Sequence, residues 1–290
     1  MKQNVLFLFC LVVSGPAWAD STIDPAHPYA YGANIGWLNA RGDIANGAGL
    51  GQSYCTGYVW SANCGWIVLG NGPTNGWQYG NAAADDWGIN HDGEGRLSGY
   101  AWGANIGWVT FEQVQGQPRV NLLTGNLSGY AWGANVGWIG LSNAQAFART
   151  TRLDAGPDSD ADGIPDYWEY REAGDLGTLS DGGHDQDSDD VPDADEYPAD
   201  TDPLVDTDLL QIVSITTASG TNNVAWTTRP TRFYRVEATN ALPAATDIGW
   251  ADVGGGLIGP PASSPTKVAI PDEGNRGRFY RVQAVIPLGE

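Results

Sequence analysis

Four copies of one nine-residue motif constrain this chain more than any other feature. They are Tyr29-Ala-Tyr-Gly-Ala-Asn-Ile-Gly-Trp37, Tyr58-Val-Trp-Ser-Ala-Asn-Cys-Gly-Trp66, Tyr100-Ala-Trp-Gly-Ala-Asn-Ile-Gly-Trp108 and Tyr130-Ala-Trp-Gly-Ala-Asn-Val-Gly-Trp138. The copies start 29, 42 and 30 residues apart. Large and small residues alternate around an Asn that is followed two residues later by Gly, which reads as strand, tight turn and second strand. Asn34, Asn63, Asn105 and Asn135 are the residues expected to take the left-handed turn conformation. Further short strands are expected at Ile89-Asn90 and Val120-Asn121. Units of this size cannot bury a face alone, so they are expected to stack around a shared one, forming a Trp/Gly-rich β-repeat domain over 20–150.

Nine of the 13 tryptophans lie between Trp37 and Trp138. Their fixed repeat positions predict a Trp/Tyr core, because short Gly-rich strands offer little aliphatic volume. The competing reading is a row of exposed platforms for sugar rings. Trp77, Tyr79 and Trp87, which break the pattern between copies two and three, are the ligand-surface candidates under that reading. The repeat resembles a Gly-Tyr-x-Trp-x-x-Asn-x-Gly-Trp element of bacterial exported proteins, a resemblance that implies no activity.

The N-terminus reads as a secretory signal peptide. Lys2 precedes the apolar run 5–13, Ser14-Gly15-Pro16 breaks it, and Ala17-Trp18-Ala19 offers cleavage before Asp20. That run is too short to span a bilayer, which takes about 20 residues, and no later stretch replaces it. The expected location is therefore secreted, extracellular or cell-surface. In that setting Cys55 and Cys64, the two cysteines of the mature chain, are predicted to form a disulfide. Aligning the copies sets Cys55 with Leu97 and Leu127, and Cys64 with Ile106 and Val136. Two buried free thiols are the alternative.

Charge is concentrated in one segment. The chain has 14 Lys+Arg and 34 Asp+Glu, for a net charge of −20. Residues 154–208 hold 20 of those acids and one base, Arg171. Such acidity argues against a nucleic-acid partner, since no cationic surplus exists to displace counterions. Two submotifs organise the segment. Asp158, Asp160, Asp162, Asp166 and Glu169 occupy loop positions 1, 3, 5, 9 and 12, and Asp185, Asp187, Asp189, Asp193 and Glu196 repeat them 27 residues later. A hard cation such as Ca2+ takes six to eight oxygens, and this spacing wraps one loop around one ion. Ile164 and Val191, at position 7, would give backbone carbonyls; the glutamates would bind through both oxygens. Gly163 permits the turn at position 6, where the second loop has Asp190.

Position 8 is Pro165 and Pro192, which cannot donate the bridge that pairs EF-hand loops. The segment instead resembles bacterial thrombospondin type-3 repeats, through Asp-x-Asp-x-Asp-Gly-x-Pro-Asp-x-x-Glu at 158–169 and the tail Glu196-Tyr-Pro-Ala-Asp200-Thr201-Asp202-Pro203, with Asp200 where Gly is usual. That resemblance implies calcium-stabilised loops with almost no hydrophobic core, and neighbouring acids such as Asp202 and Asp208 bridging to adjacent ions.

Beyond 209, six candidate strands separated by Gly, Pro and Asn predict a small β-sandwich. Arg-Phe-Tyr-Arg-Val recurs at 232–236 and 278–282, with the arginines expected on a solvated outer face. This module resembles immunoglobulin-like C-terminal domains of exported bacterial proteins. No nucleophile triad or phosphate loop stands out. Asp85, Asp86 and Asp92 are the only close acids that could serve an enzyme in the repeat domain. The chain as a whole reads as a mainly β, non-enzymatic, exported calcium-binding protein with a structural or adhesive role. Calcium would stiffen a spacer between two β domains, and the partner would be an extracellular glycan or protein.

Overall fold

The computed structural model describes residues 21–240, 249–271 and 278–289, so the expected signal peptide lies outside the described residues. Each motif copy forms a β-hairpin. The first is β1 (Ile23–Gly32) and β2 (Gly36–Asn39), followed by a short β3 (Gly49–Leu50). The second is β4 (Cys55–Ser61) and β5 (Gly65–Gly70). A short β6 (Ile89–His91) precedes the third, β7 (Leu97–Gly103) and β8 (Gly107–Thr110). Then β9 (Arg119–Val120) and β10 (Leu127–Ser128) lead to the fourth, β11 (Tyr130–Gly133) and β12 (Gly137–Gly140), and β13 (Ala148–Thr150) ends the unit.

The hairpins do not merely stack; they close. The ladder runs β12-β11-β8-β7-β5-β4-β2-β1, and β1 pairs in turn with β12. An eight-stranded closed sheet has no free edge and leaves an interior that modest side chains fill. Inward-facing positions are accordingly small or aliphatic: Ala30 and Leu38, Ile67, Ala101 and Val109, Ala131 and Ile139, each at most 8% exposed.

Closure reverses the expected role of the aromatics. Successive residues of a strand point to opposite faces, so the rings directly beside the inward alanines point outward. Tyr31 faces Trp37, Trp60 faces Trp66, Trp102 faces Trp108 and Trp132 faces Trp138 across the hairpins. Trp37, Trp66, Trp108 and Trp138 are between 42% and 49% exposed. The Trp/Tyr core is therefore absent, and a belt of aromatic rings encircles the barrel instead. Its packing repeats: the Tyr–Trp ring centroids are 6.1, 6.2, 6.2 and 6.2 Å apart in the four copies.

The turns also differ from expectation. Gly36, Gly65, Gly107 and Gly137 carry the positive φ, at 72°, 78°, 75° and 75°. The asparagines serve a different end. Asn63 Nδ2 donates to the Ile35 carbonyl (3.0 Å), Asn105 to Cys64 (3.1 Å), Asn135 to Ile106 (3.0 Å) and Asn34 to Val136 (3.1 Å). Each copy reaches the one before it, and the first reaches the last. Four side-chain bonds thus lock the barrel end into a ring, each contributing about 1 kcal/mol.

No disulfide joins Cys55 and Cys64; both are buried free thiols. Cys64 lies in the hairpin turn, just before Gly65, which pairs with Ser61. Cys55 begins β4 at its far end, opposite Leu50. The seven residues Cys55–Ser61 span about 20 Å of strand, whereas a disulfide needs Cα atoms about 4.4–6.8 Å apart. Alignment of the copies correctly finds two apolar positions, but at opposite ends of the hairpin.

The C-terminal region forms the expected sandwich. One sheet orders β14 (Ile212–Ala218), β15 (Thr221–Trp226) and β18 (Thr266–Pro271), and the other orders β17 (Ala251–Asp252), β16 (Phe233–Thr239) and β19 (Phe279–Val285). Val224, Trp226, Tyr234, Val236 and Ile270 fill the space between them. The two Arg-Phe-Tyr-Arg-Val segments lie side by side in β16 and β19, where Arg281 pairs with Glu237 at 2.6 Å. Phe233 leaves this core and joins that of the barrel.

Candidate metal centre

The two acidic loops share one backbone conformation, and their carboxylates build it. In the first, Asp158 accepts from the N–H groups of Asp162 (3.2 Å) and Gly163 (3.0 Å), and Asp162 accepts from Ile164 (2.8 Å). In the second, Asp185 accepts from Asp189 (3.2 Å) and Asp190 (3.0 Å), and Asp189 from Val191 (2.7 Å). Position 4 is left-handed in both (Ala161 φ 63°, Ser188 φ 65°), and so is position 6 (Gly163 φ 94°, Asp190 φ 75°). Asp190 thus adopts the glycine conformation at the cost that a side chain carries there. The same two left-handed positions thus recur in both loops.

The fold draws positions 1, 3 and 5 together. Asp158, Asp160 and Asp162 can each bring an oxygen within 4.8 Å of the others, as can Asp185, Asp187 and Asp189. These are two clusters that could hold a metal ion. Position 9 behaves otherwise. Asp166 accepts from the backbone and hydroxyl of Ser159, both at 2.6 Å, and Asp193 accepts from Gln186 N (2.9 Å) and His184 Nδ1 (2.7 Å). Both residues tie the start of the loop to the helix that follows, α1 (Asp166–Glu172) or α2 (Asp193–Ala199).

Position 12 is the most telling. Glu169 and Glu196 are 0% exposed; neither oxygen of Glu169 has a hydrogen-bond partner, and the Glu196 carboxylate has only the Thr201 side chain to meet it. Asp162 Oδ2, Asp189 Oδ2 and both oxygens of Asp187 are likewise buried and unpartnered. A buried carboxylate without a partner is among the costliest groups a fold can contain. Burial pushes Glu169 up to about 8, with Asp160, Asp162, Asp166 and Asp158 adding to the rise. Burial also takes Glu196 to about 7; the Thr201 side chain opposes it, and Asp187, Asp189 and Asp193 reinforce it. Burial raises Asp162 and Asp187 as well, with the other loop acids contributing.

Both helices carry their glutamate inward because of what surrounds it. In α1, Trp168 and Tyr167 pack with Ile164 and Leu179 into a small core that also includes Tyr54 and Tyr79 of the barrel region. The near absence of a core implied by the type-3 resemblance is thus corrected: Ile164 and Trp168 are fully buried. The spacer is corrected too, because the segment is wedged against both neighbours. Tyr167 donates to Gln52 Oε1 (2.8 Å), and Gln52 Nε2 donates to Tyr197 (2.9 Å). From the sandwich, Arg232 donates to the Pro198 (2.8 Å) and Tyr197 (2.9 Å) carbonyls at the end of α2, a position favoured for a cation. Arg232 is 4% exposed, so its expected place on a solvated face is overturned.

Asp200 links these parts. It ends α2 in the left-handed conformation (φ 59°), which explains how Asp stands where Gly is usual. Its carboxylate meets Arg171 Nη2 at 2.5 Å and Arg232 Nη2 at 3.6 Å, and Thr231 donates to it. Burial alone would raise the Asp200 carboxyl, but Arg232 and Arg171 outweigh it and hold it below its ordinary value. Neither this hub nor the capping role of Arg232 was visible in the spacing. Of the two outlying acids, Asp208 pairs with Arg229 and accepts from Asp202 N at 3.1 Å.

The other candidates do not converge. Tyr79 is 4% exposed and donates to the Cys55 carbonyl at 3.0 Å, so it belongs to the core rather than to a ligand surface. Trp77 is half-buried against the wedge core. Trp87 meets Trp108 edge-on at 5.0 Å and extends the aromatic belt. Asp86 closes a loop by accepting from Gly80 N (2.8 Å), and Asp92 does so from Arg96 N (2.9 Å). Among the described residues no helix is long and apolar enough to cross a membrane. No family model, curated protein or solved structure matches the chain.

Proposed function

We propose that this is an exported, non-enzymatic calcium-binding protein with a structural or adhesive role, in which two type-3-like loops each hold one Ca2+. The observation that carries the reading is the pair of fully buried carboxylates of Glu169 and Glu196 at position 12 of the two loops, the first without any hydrogen-bond partner. A divalent ion is the partner that turns these from a liability into a source of folding energy. In the first loop Asp158, Asp160 and Asp162 would supply one oxygen each, Ile164 its carbonyl and Glu169 two. Asp185, Asp187, Asp189, Val191 and Glu196 would do the same in the second. A bidentate glutamate in an all-protein oxygen set favours Ca2+ over Mg2+, which demands a tighter octahedron and keeps several waters. The bound ions would fix α1 and α2, and through them the junction of barrel and sandwich at Asp200 and Arg232. Calorimetric titration of the mature chain beside the Asp160→Asn/Asp187→Asn variant tests this. Saturable uptake that weakens in the variant is expected; no saturable uptake at millimolar calcium would refute it.

A further inference from the structure

The outer face of the barrel is unlike the rest of the chain. Segments 29–39, 58–69, 100–111 and 130–141 contain no Asp, Glu, Lys or Arg, although the chain carries 48 such residues (14 + 34) and a net charge of −20. What they expose instead is the aromatic belt, and register arranges its rings in rows. Trp66 stands level with Trp60, Trp60 with Asn39, and Asn39 with Tyr29, on four successive strands. The same order of two aromatics, one variable residue and a Tyr recurs from each of the other hairpins to its neighbour, the variable residue being Val68, Thr110 or Gly140. Each row therefore crosses three strand spacings of about 4.8 Å, a track roughly 14 Å long. Its step is close to the length of one pyranose ring along a polysaccharide chain.

We propose that these rows bind uncharged polysaccharide chains by stacking the apolar faces of the sugars on the exposed indole and phenol rings. The proposal stands on the barrel and does not depend on the calcium loops. Three observations select this occupant. Trp37, Trp66 and Trp138 each pack against a Tyr of their own hairpin and stay 42–47% exposed, which is the geometry of a platform. The strong negative charge elsewhere repels acidic polymers, leaving neutral ones. A bilayer is disfavoured because the turns beyond the belt are Ala-Asn, with each Asn Nδ2 donating to the neighbouring copy. At that end Ile35, Cys64, Ile106 and Val136 are at most 5% exposed, so no apolar turn tip projects there to enter hydrocarbon. Four equivalent rows would also let one polymer, or several, engage more than one site and gain avidity without any tight contact.

Affinity electrophoresis of the mature protein at saturating calcium tests this. The gels would contain hydroxyethyl cellulose, galactomannan, soluble β-1,3-glucan or glycol chitin, with polygalacturonate as the charged control. Retardation is expected in at least one neutral gel and not in polygalacturonate. The Trp60→Ala/Trp66→Ala variant should bind roughly 3- to 10-fold more weakly, the loss expected of a stacking contact. Trp66→Phe keeps a platform and should retain most of the binding. Because these rings are exposed, an unchanged thermal midpoint verifies that the variants fold. In the wild type, acrylamide quenching of tryptophan fluorescence should fall when the retarding polymer is added. Passage through all four neutral gels without retardation would overturn the proposal, as would equal retardation of the double variant. Sedimentation showing a dimer that the double variant dissolves would assign the belt to a second copy instead, and adsorption to phosphatidylcholine vesicles would assign it to a membrane.

Discussion

Replacing Glu169 with Gln should stabilise the metal-free protein and abolish its response to calcium at the first loop. Glu169 is held at about 8 against an ordinary 4.5. The folded chain therefore binds this proton more tightly than the unfolded one, so stability is full below pH 4.5 and falls as pH rises toward 8. Fully expressed, that difference amounts to about 5 kcal/mol once both states are ionised. Asp158 and Asp160 at the mouth of the loop are open to water, and solvent screening lowers the figure to roughly 2–3 kcal/mol. For a domain of this size the corresponding fall in Tm is about 5–10 °C between pH 5 and pH 8.5. Gln has the same shape and no charge, so Glu169→Gln should remove most of that slope and melt higher than wild type at pH 8.5 in EDTA. Calcium at 100 times its Kd should stabilise the wild type by about 2.7 kcal/mol per loop, and the variant by one loop fewer. Thermal melts in EDTA and in calcium, at several pH values, read all three quantities. A metal-free wild type whose Tm holds or rises between pH 5 and pH 8.5 would refute the reasoning. So would a Gln variant that keeps the full calcium increment.

Further outcomes follow from other parts of the fold. Asp190→Gly removes a side chain from a left-handed position and should stabilise the second loop by about 1 kcal/mol, read as a tighter calcium midpoint. Asp200→Gly relieves the same kind of strain at φ 59° yet leaves Arg232 buried without its acid. It should destabilise by about 2 kcal/mol or more, measurable by urea denaturation. Asn105→Ala removes one bond of the turn ring and should cost about 1 kcal/mol, while leaving calcium uptake unchanged. Burial pushes the Cys55 thiol up to about 12, so it should resist Ellman's reagent in the native protein, and both thiols should titrate fully in guanidinium without prior reduction.

The repeat was legible because alternation and the Asn-x-Gly turn are local signals, and all four hairpins form where the copies stand. Which face lies inside was not legible. A period of two marks two faces without saying which one is buried, and the largest apolar rings are the natural choice for a core. Closure decides otherwise: Ala30, Ala101 and Ala131 sit inside because an eight-stranded barrel has little room. The paired cysteines were misread for a related reason. Equivalent positions in a repeat share an environment but need not be neighbours, and Cys55 and Cys64 stand at opposite ends of one hairpin. The gathering of Asp158, Asp160 and Asp162, and of Asp185, Asp187 and Asp189, was legible, since their spacing is a property of the chain itself. Spacing could not reveal that Asp166 and Asp193 spend their oxygens on Ser159 and Gln186. Nor could it show that Asp200, a departure from the type-3 pattern, is the residue through which the wedge grips the sandwich. That role depends on Arg232 and Thr231, more than 30 residues away in the chain.

The central claim is that each loop holds its own ion through its buried glutamate. Counting calcium by equilibrium dialysis of the mature wild type, Glu169→Gln, Glu196→Gln and the double variant tests it most directly. The account predicts two high-affinity ions per wild-type chain, one in each single variant and none in the double. Equal stoichiometry in all four proteins, or none in the wild type, would contradict it.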